Sequence, residues 1–205
     1  MFFKVKFLLV VVLFSIDAYP RETEQLMANY SMQNIVEPNR YVINFTDDDE
    51  VILWRSTNDG VMGGKSKGRV TVKNGISMFT GNLSIENNGG FSSTYRDIEP
   101  LPVGLDTIDI GVLGDGLIYQ FRVIVYINGY RLAYKHDFQT TEGEKRLVSL
   151  KLSDFRATFR GRIISDAPQL TSDKINQIGF LVTNKAPVDF SLSLFQVDIY
   201  RQQKI

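Results

Sequence analysis

Cysteine is absent from the 205 residues. Disulfides, thiolate metal sites, cysteine nucleophiles and cysteine-linked lipid anchors are therefore excluded, and stability must come from packing. Histidine occurs once, at His136, so a serine triad or an imidazole metal site would depend on that residue alone. Its setting, Tyr134-Lys135-His136-Asp137-Phe138, reads as a strand, where histidine is more often structural than catalytic. Tryptophan also occurs once, at Trp54. Charge of one sign is missing too: 23 Lys plus Arg balance 23 Asp plus Glu, so no overall field draws the chain to nucleic acid or an anionic membrane. Any partner has to be recognised locally.

Long apolar runs are scarce, and the clearest one lies at the start. Met1-Phe2-Phe3-Lys4-Val5-Lys6 is basic, Phe7 to Ile16 is almost wholly apolar, and Asp17-Ala18-Tyr19-Pro20 ends the run. A membrane-crossing helix needs about 20 apolar residues, roughly twice this length. The pattern predicts a secretory signal over 1–18, removed after Ala18, with no stable membrane span afterwards and a periplasmic or secreted protein. Residues 19–40 read as a polar lead-in, mobile or holding a short helix. The remaining 41–201 is one domain, with an ordinary 43% hydrophobic fraction that suffices for a single core.

Within that domain the period is two. Strands are expected over Tyr41 to Phe45, Val51 to Trp54, Arg69 to Val72, Ile76 to Phe79, Asn82 to Glu86 and Phe91 to Tyr95, then Thr107 to Val112 and Leu117 to Ile127. Tyr130 to Phe138, Arg146 to Leu152, Ile175 to Thr183 and Val188 to Tyr200 follow. Asn74-Gly75 and Asn128-Gly129 predict tight hairpins, because a type I′ turn needs φ > 0 at both central residues. Leu117, Tyr119, Phe121, Val123, Val125 and Ile127 form an apolar core face, while Gln120, Arg122 and Tyr126 sit on a wetter one. In the last strand the apolar parity switches near Leu194, which predicts a bulge. The best helical signal is Leu170 to Asn176. The fold class is all-β, a two-sheet antiparallel sandwich or jelly roll.

Two glycine-rich stretches carry the strongest local signals. Asn58-Asp59-Gly60-Val61-Met62-Gly63-Gly64 is followed by Lys65-Ser66, which nearly makes a phosphate loop but is one residue short and leads into a strand instead of a helix. Asn87-Asn88-Gly89-Gly90-Phe91 forms the second turn, and Gly111 to Gly116 lacks dinucleotide-binding spacing. The run Asp47-Asp48-Asp49-Glu50 is a solvated turn or, with Asp198, a weak Ca²⁺ candidate. Arg156, Arg160 and Arg162 surround Phe159, an arrangement suited to a carboxylate or phosphate, or to an internal ion pair. No nucleophile and base occur as a pair, and the sequence nominates no two carboxylates for glycoside hydrolysis.

Taken in order, Trp54 to Gly64, Asn87 to Phe91, Gly114-Asp115-Gly116 followed by Tyr119, Phe138 after a polar strand, Leu152-Ser153-Asp154-Phe155, Phe159-Arg160-Gly161-Arg162, Ala167-Pro168 and the closing Phe190 to Tyr200 resemble the complex I intermediate-associated protein 30 family from about Phe45 to Tyr200. The resemblance implies a galactose-binding-like β-sandwich akin to carbohydrate-binding modules, with no established catalytic residues. Mitochondrial members act as assembly factors for respiratory complex I; the secretory-type start departs from that setting. The expectation is a non-enzymatic, chaperone-type binding module that meets a protein partner or assembly intermediate around the two turns. Asn58, Asp59, Asn87 and Asn88 would hydrogen-bond, Met62 and Phe91 would give apolar contact, and Arg160 would be a charged anchor, on a backbone shaped by Gly60, Gly63, Gly64, Gly89 and Gly90. The alternative is carbohydrate binding on the wetter face, through Gln120, Arg122 and Tyr126.

Overall fold

The computed structural model describes residues 36–37, 39–46, 48–159 and 161–202, without the side chains of Val36, Glu37, Asp48 and Met62. The signal segment lies outside them, as does the lead-in except at its end, where Val36–Glu37 (β1) pairs with Arg40–Asn44 (β2). The described residues then run through Asp48–Ile52 (α1), Arg55–Asn58 (β3), Lys67–Lys73 (β4), Ile76–Leu83 (β5), Phe91–Asp97 (β6) and Thr107–Leu113 (β7). They continue with Ile118–Ile127 (β8), Tyr130–Gln139 (β9), Lys145–Lys151 (β10), Arg156–Phe159 (β11), Arg162–Ile163 (β12), Ile175–Thr183 (β13) and Val188–Tyr200 (β14).

All strand pairs within the two sheets are antiparallel. The first sheet is ordered β1-β2-β14-β5-β4, with β7 on the other flank of β14 and β10 beyond it. The second is ordered β12-β11-β9-β8-β13-β6-β3. β14 joins the first sheet by pairing with β5 through its first half and with β2 through its second. Its register against β7 slips between Leu194 and Gln196, so the expected bulge is present and the apolar parity changes there. Both Asn-Gly turns form with positive φ at each central residue, 55° and 72° at Asn74-Gly75 and 51° and 80° at Asn128-Gly129.

The core lies between the inner faces. Tyr119, Phe121, Val123 and Val125 of β8 are buried in it, as their shared parity predicts, with Phe180 of β13 and Phe190 of β14. Aromatic rings pack within and between the layers: Phe121 meets its neighbour Phe180 edge-on at 5.3 Å in the second sheet and Phe79 meets Phe190 at 4.9 Å in the first, while Trp54 bridges them, 5.7 Å from Phe180 and 5.3 Å from Phe45. Such pairs add about 0.5–1.5 kcal/mol each beyond the area they bury.

Three expected elements are corrected. Val51 to Trp54 is not a strand: α1 covers Asp48–Ile52, because turning the chain there carries Glu50 inward to Arg96 (3.0 Å) and to the Trp54 indole (2.8 Å). Ile76 to Phe79 and Asn82 to Glu86 are not separate strands. β5 runs through Gly81, where a Cβ would lie 1.9 Å from the Lys67 carbonyl oxygen, so glycine permits close strand approach without breaking the ladder. Leu170 to Asn176 holds only a 3₁₀ turn at Ser172–Lys174 before β13 begins.

Candidate functional site

The two glycine-rich turns come together around one carboxylate. Asp59 is fully buried and accepts hydrogen bonds from the Ser66 amide (2.9 Å), the Ser66 hydroxyl (2.5 Å), the Gly90 amide (2.7 Å) and, more weakly, the Phe91 amide (3.4 Å). Burial alone would push its pKa up, but the Ser66 hydroxyl and the amides of Gly90, Ser66 and Phe91 hold it below the ordinary carboxylate value. The glycines make room for it: a Cβ on Gly64 would lie 2.3 Å from Asp59 Oδ1, and one on Gly89 2.5 Å from Oδ2. The sequence therefore places an internal anion where a phosphate loop would hold an external one.

Two of the neighbouring side chains are similarly engaged. Asn58 donates to the Gly68 carbonyl (3.3 Å) and accepts from the Ser92 hydroxyl (2.6 Å). Asn87 donates to the Gly63 carbonyl (2.8 Å). Asn87 and Asn88 both adopt positive φ, at 54° and 58°, so the asparagines carry the left-handed turn that their adjacent glycines suggest. Gly60 faces open space. The Met62 side chain and Arg160 lie outside the described residues. Phe91 is half-buried on the outward parity of β6, away from the core cluster. The turns present to solvent the apolar Val61 and Ile85 together with the polar Lys65, Glu86, Asn87 and Asn88, and the Asn88 side chain makes no hydrogen bond among the described residues.

The acidic run does not assemble a metal centre among the described residues. Asp47 lies outside them, Asp49 is exposed, and Asp198 is held in a two-pronged pair by Arg40 at 2.9 and 2.5 Å. No group of three or more His, Asp or Glu side chains suited to a metal occurs among the described residues.

The outward face of the second sheet is a more open arrangement. Its floor is closed: Ile124 of β8, Ala133 of β9, Leu181 of β13, Ser93 of β6 and Thr158 of β11 all point outward yet are buried beneath longer neighbours. The wetter face expected for β8 is thus wet only at its rim. Arg131 of β9 places its guanidinium 5.0 Å from the ring centroid of Tyr95 on β6. Those strands stand roughly 14 Å apart, so the two long side chains meet by lying across the intervening strands, and they wall one side of a stretch of this face, here called the trough. The Tyr95 ring lies across Gly179, where any Cβ would sit 2.4 Å from it.

Around this trough Gln120, Arg122 and Tyr126 of β8 stand on the same side as Lys135 and Asp137 of β9. Lys135 pairs with Asp137 at 3.0 Å, and Arg122 donates from Nη2 to the Thr158 hydroxyl at 3.0 Å while its Nε is sequestered without a partner. Among the described residues, the side chains of Gln120 and Tyr126 make no internal hydrogen bond, and Tyr126 is half exposed. Sequence reasoning named Gln120, Arg122 and Tyr126 for this face but missed Tyr95, Arg131 and Lys135. Their odd-numbered alternation along β6 and β9 is the signal that could have placed them there.

Two half-open depressions, of about 410 and 320 Å³, lie elsewhere, near Leu105 and Ser172 and near Phe155 and Pro168. Two of the hydroxyls there are engaged internally: Ser172 Oγ bridges the Leu105 amide and the Pro102 carbonyl, and Tyr134 donates to the Pro168 carbonyl.

A family model described as complex I intermediate-associated protein 30 (CIA30) matches residues 43–194. The chain belongs to the CIA30 family. That match spans β14 up to its bulge and includes both turns joined by Asp59. No curated protein matches the chain. Among solved structures, this CIA30 domain is similar to the family 11 carbohydrate-binding module from Clostridium thermocellum in complex with a β-1,3-1,4-mixed-linked tetrasaccharide. The TM-score is 0.58 at 17% identity, covering 82% of this chain and 98% of that one. It is likewise similar to the family 11 module of the Clostridium thermocellum cellulosomal cellulase Lic26A-Cel5E, with TM-score 0.57, 17% identity and coverage of 78% and 94%. At that identity the likeness establishes a shared sandwich fold for the CIA30 domain. Among the described residues no helix is long and apolar enough to cross a membrane.

Proposed function

We propose that this CIA30 domain is an exported, non-catalytic module that binds an oligosaccharide in the trough of the second sheet. The observation that carries the reading is the contrast between the turns and the trough. Asp59, Asn58 and Asn87 spend their polar groups internally, whereas Gln120 and Tyr126 keep theirs for a ligand above an apolar floor. A sugar offers hydroxyls at its edge and C–H groups on its face. A planar amide, a guanidinium fixed by Thr158 and an exposed tyrosine ring match those two surfaces. The modules that share this fold support the reading by analogy alone. Isothermal titration against a glycan panel, with Tyr126→Ala and Gln120→Ala beside wild type, tests it. Each variant is expected to lose about tenfold in affinity at unchanged melting temperature. Absence of binding across the panel, or binding indifferent to both substitutions, overturns it.

A second reading rests on Val61 and Ile85, which stand exposed on the two turns that Asp59 joins and offer apolar side chains to a protein partner, for a CIA30 member an assembly intermediate. A photo-crosslinker at Val61 should then capture a defined partner that Ile85→Asp abolishes. Capture that survives Ile85→Asp removes this reading.

A further inference from the structure

The trough's charged side chains form a row. Arg55 of β3 is in register with Tyr95 of β6, Tyr95 with Gly179 of β13, Gly179 with Arg122 of β8, Arg122 with Lys135 of β9, and Lys135 with Arg156 of β11. One line perpendicular to the strands therefore carries four cations, broken in its middle by an aromatic ring lying on a glycine. Neighbouring strands are about 4.8 Å apart, so the row extends roughly 24 Å.

Like charges directly opposite on adjacent strands repel, and Arg122, Lys135 and Arg156 occupy three adjacent strands. Internal acids compensate only part of this. Asp137 pairs with Lys135, while Asp97 accepts from Gln177 at 2.7 Å and lies 3.9 Å from Arg55, where both partners are well exposed. Among the described residues, Arg122 and Arg156 have no carboxylate within 4.0 Å, and neither has Arg131, which stands over Tyr95 beside the row. A protein of zero net charge thus gathers cations without carboxylate partners on one face of the second sheet. That arrangement weakens the sheet unless something outside the chain supplies the counter-charge.

We propose that the ligand of the trough is a linear anionic oligosaccharide, laid across the strands along the row from Arg55 to Arg156. Its carboxylate or sulfate groups meet Arg122, Arg156 and Arg131, the last of which covers the Tyr95 ring. This rests on the trough being a glycan site and adds the charge, direction and length of the glycan. Arginine suits the role because its planar fork matches both carboxylate and sulfate geometry. The sequestered Nε of Arg122 adds to it, since an anion over the guanidinium offsets a donor removed from water without a partner.

The test is titration of the purified protein with four hexamers or their equivalents: a neutral β-glucan, an oligogalacturonate, a sulfated galactan and a single-stranded oligodeoxynucleotide. The expected result is binding of at least one anionic glycan about tenfold more tightly than the neutral one, weakening as salt rises from 50 to about 200 mM. Arg122→Gln and Arg156→Gln should each lower that affinity about tenfold without moving the melting temperature downward. The uronate and sulfate arms decide which acid is read. Neutral glycan bound as tightly as either acid, and still dependent on Tyr126, overturns the anionic assignment and leaves glycan binding standing. No glycan bound at all overturns both. Tighter binding of the oligodeoxynucleotide than of either acidic glycan overturns the assignment to a saccharide.

Discussion

Asp59 accepts the Gly90 backbone amide at 2.7 Å across 31 positions of sequence, the buried bond that, with Asn87 donating to the Gly63 carbonyl, joins the two glycine-rich turns. Removing the carboxylate leaves the Ser66 and Gly90 amides buried without a partner. Unpaired buried donors cost about 1–3 kcal/mol each, so Asp59→Ala is expected to lose on the order of 3 kcal/mol in urea unfolding. A loss below about 0.5 kcal/mol would mean that water or relaxation replaces the carboxylate.

The same residue predicts a pH dependence. Its folded-state pKa is depressed, so acid protonates Asp59 in the unfolded chain first, near the ordinary value of about 3.9. The stability it contributes is complete above that pH and is lost as the pH falls through the lower folded-state value. Urea midpoints of wild type and Asp59→Asn should therefore differ most at pH 6 and converge below about pH 3.9. A gap that stays constant down to acid pH would assign the effect to shape instead of charge.

The glycines around Asp59 divide into two kinds. Gly64→Ala and Gly89→Ala put a methyl against the carboxylate and should each cost about 1–3 kcal/mol. Gly60→Ala meets open space and should stay within about 0.5 kcal/mol of wild type. Thermal unfolding of the three variants checks this, and equal effects at all three positions would contradict it.

Glu50 and Arg96 form a buried ion pair at 3.0 Å, with the Trp54 indole donating to the same Glu50 oxygen at 2.8 Å. Arg96→Met alone strands a buried carboxylate and should cost about 3–5 kcal/mol, whereas Glu50→Leu with Arg96→Met should recover much of that loss. A double-mutant cycle with no coupling between the two positions would show that α1 is held by Trp54 packing alone.

Most of the longer strands, the two Asn-Gly turns and the bulge in β14 were legible because each depends on a local period or a backbone requirement read from neighbouring residues, whereas the short β1, β3, β11 and β12 carry no such period. Helix α1 was not, because Val51-Ile52-Leu53 has the composition of a strand and only the distant Arg96 draws Glu50 inward. The turns were legible as turns, but not as a cage for Asp59, whose partners Ser66 and Gly90 are brought in by folding. In the trough, β8 alternates clearly enough to mark Gln120, Arg122 and Tyr126. The row of cations was invisible because register between strands, which aligns Arg122 with Lys135 and Arg156, is set by the sheet and not by any one segment.

The slip at Phe195 lets β14 serve β5, β2 and β7 at once, and β14 is the last strand of the domain in chain order. Through it run the long-separation pairings that close the first sheet, so the β2 and β5 edges wait for partners until the final strand has been synthesised. Closure of this sheet therefore waits on β14 and is slow compared with hairpin closure. Until then the nascent chain exposes sticky strand borders, and a holding factor or rapid threading into another compartment would protect it during that interval.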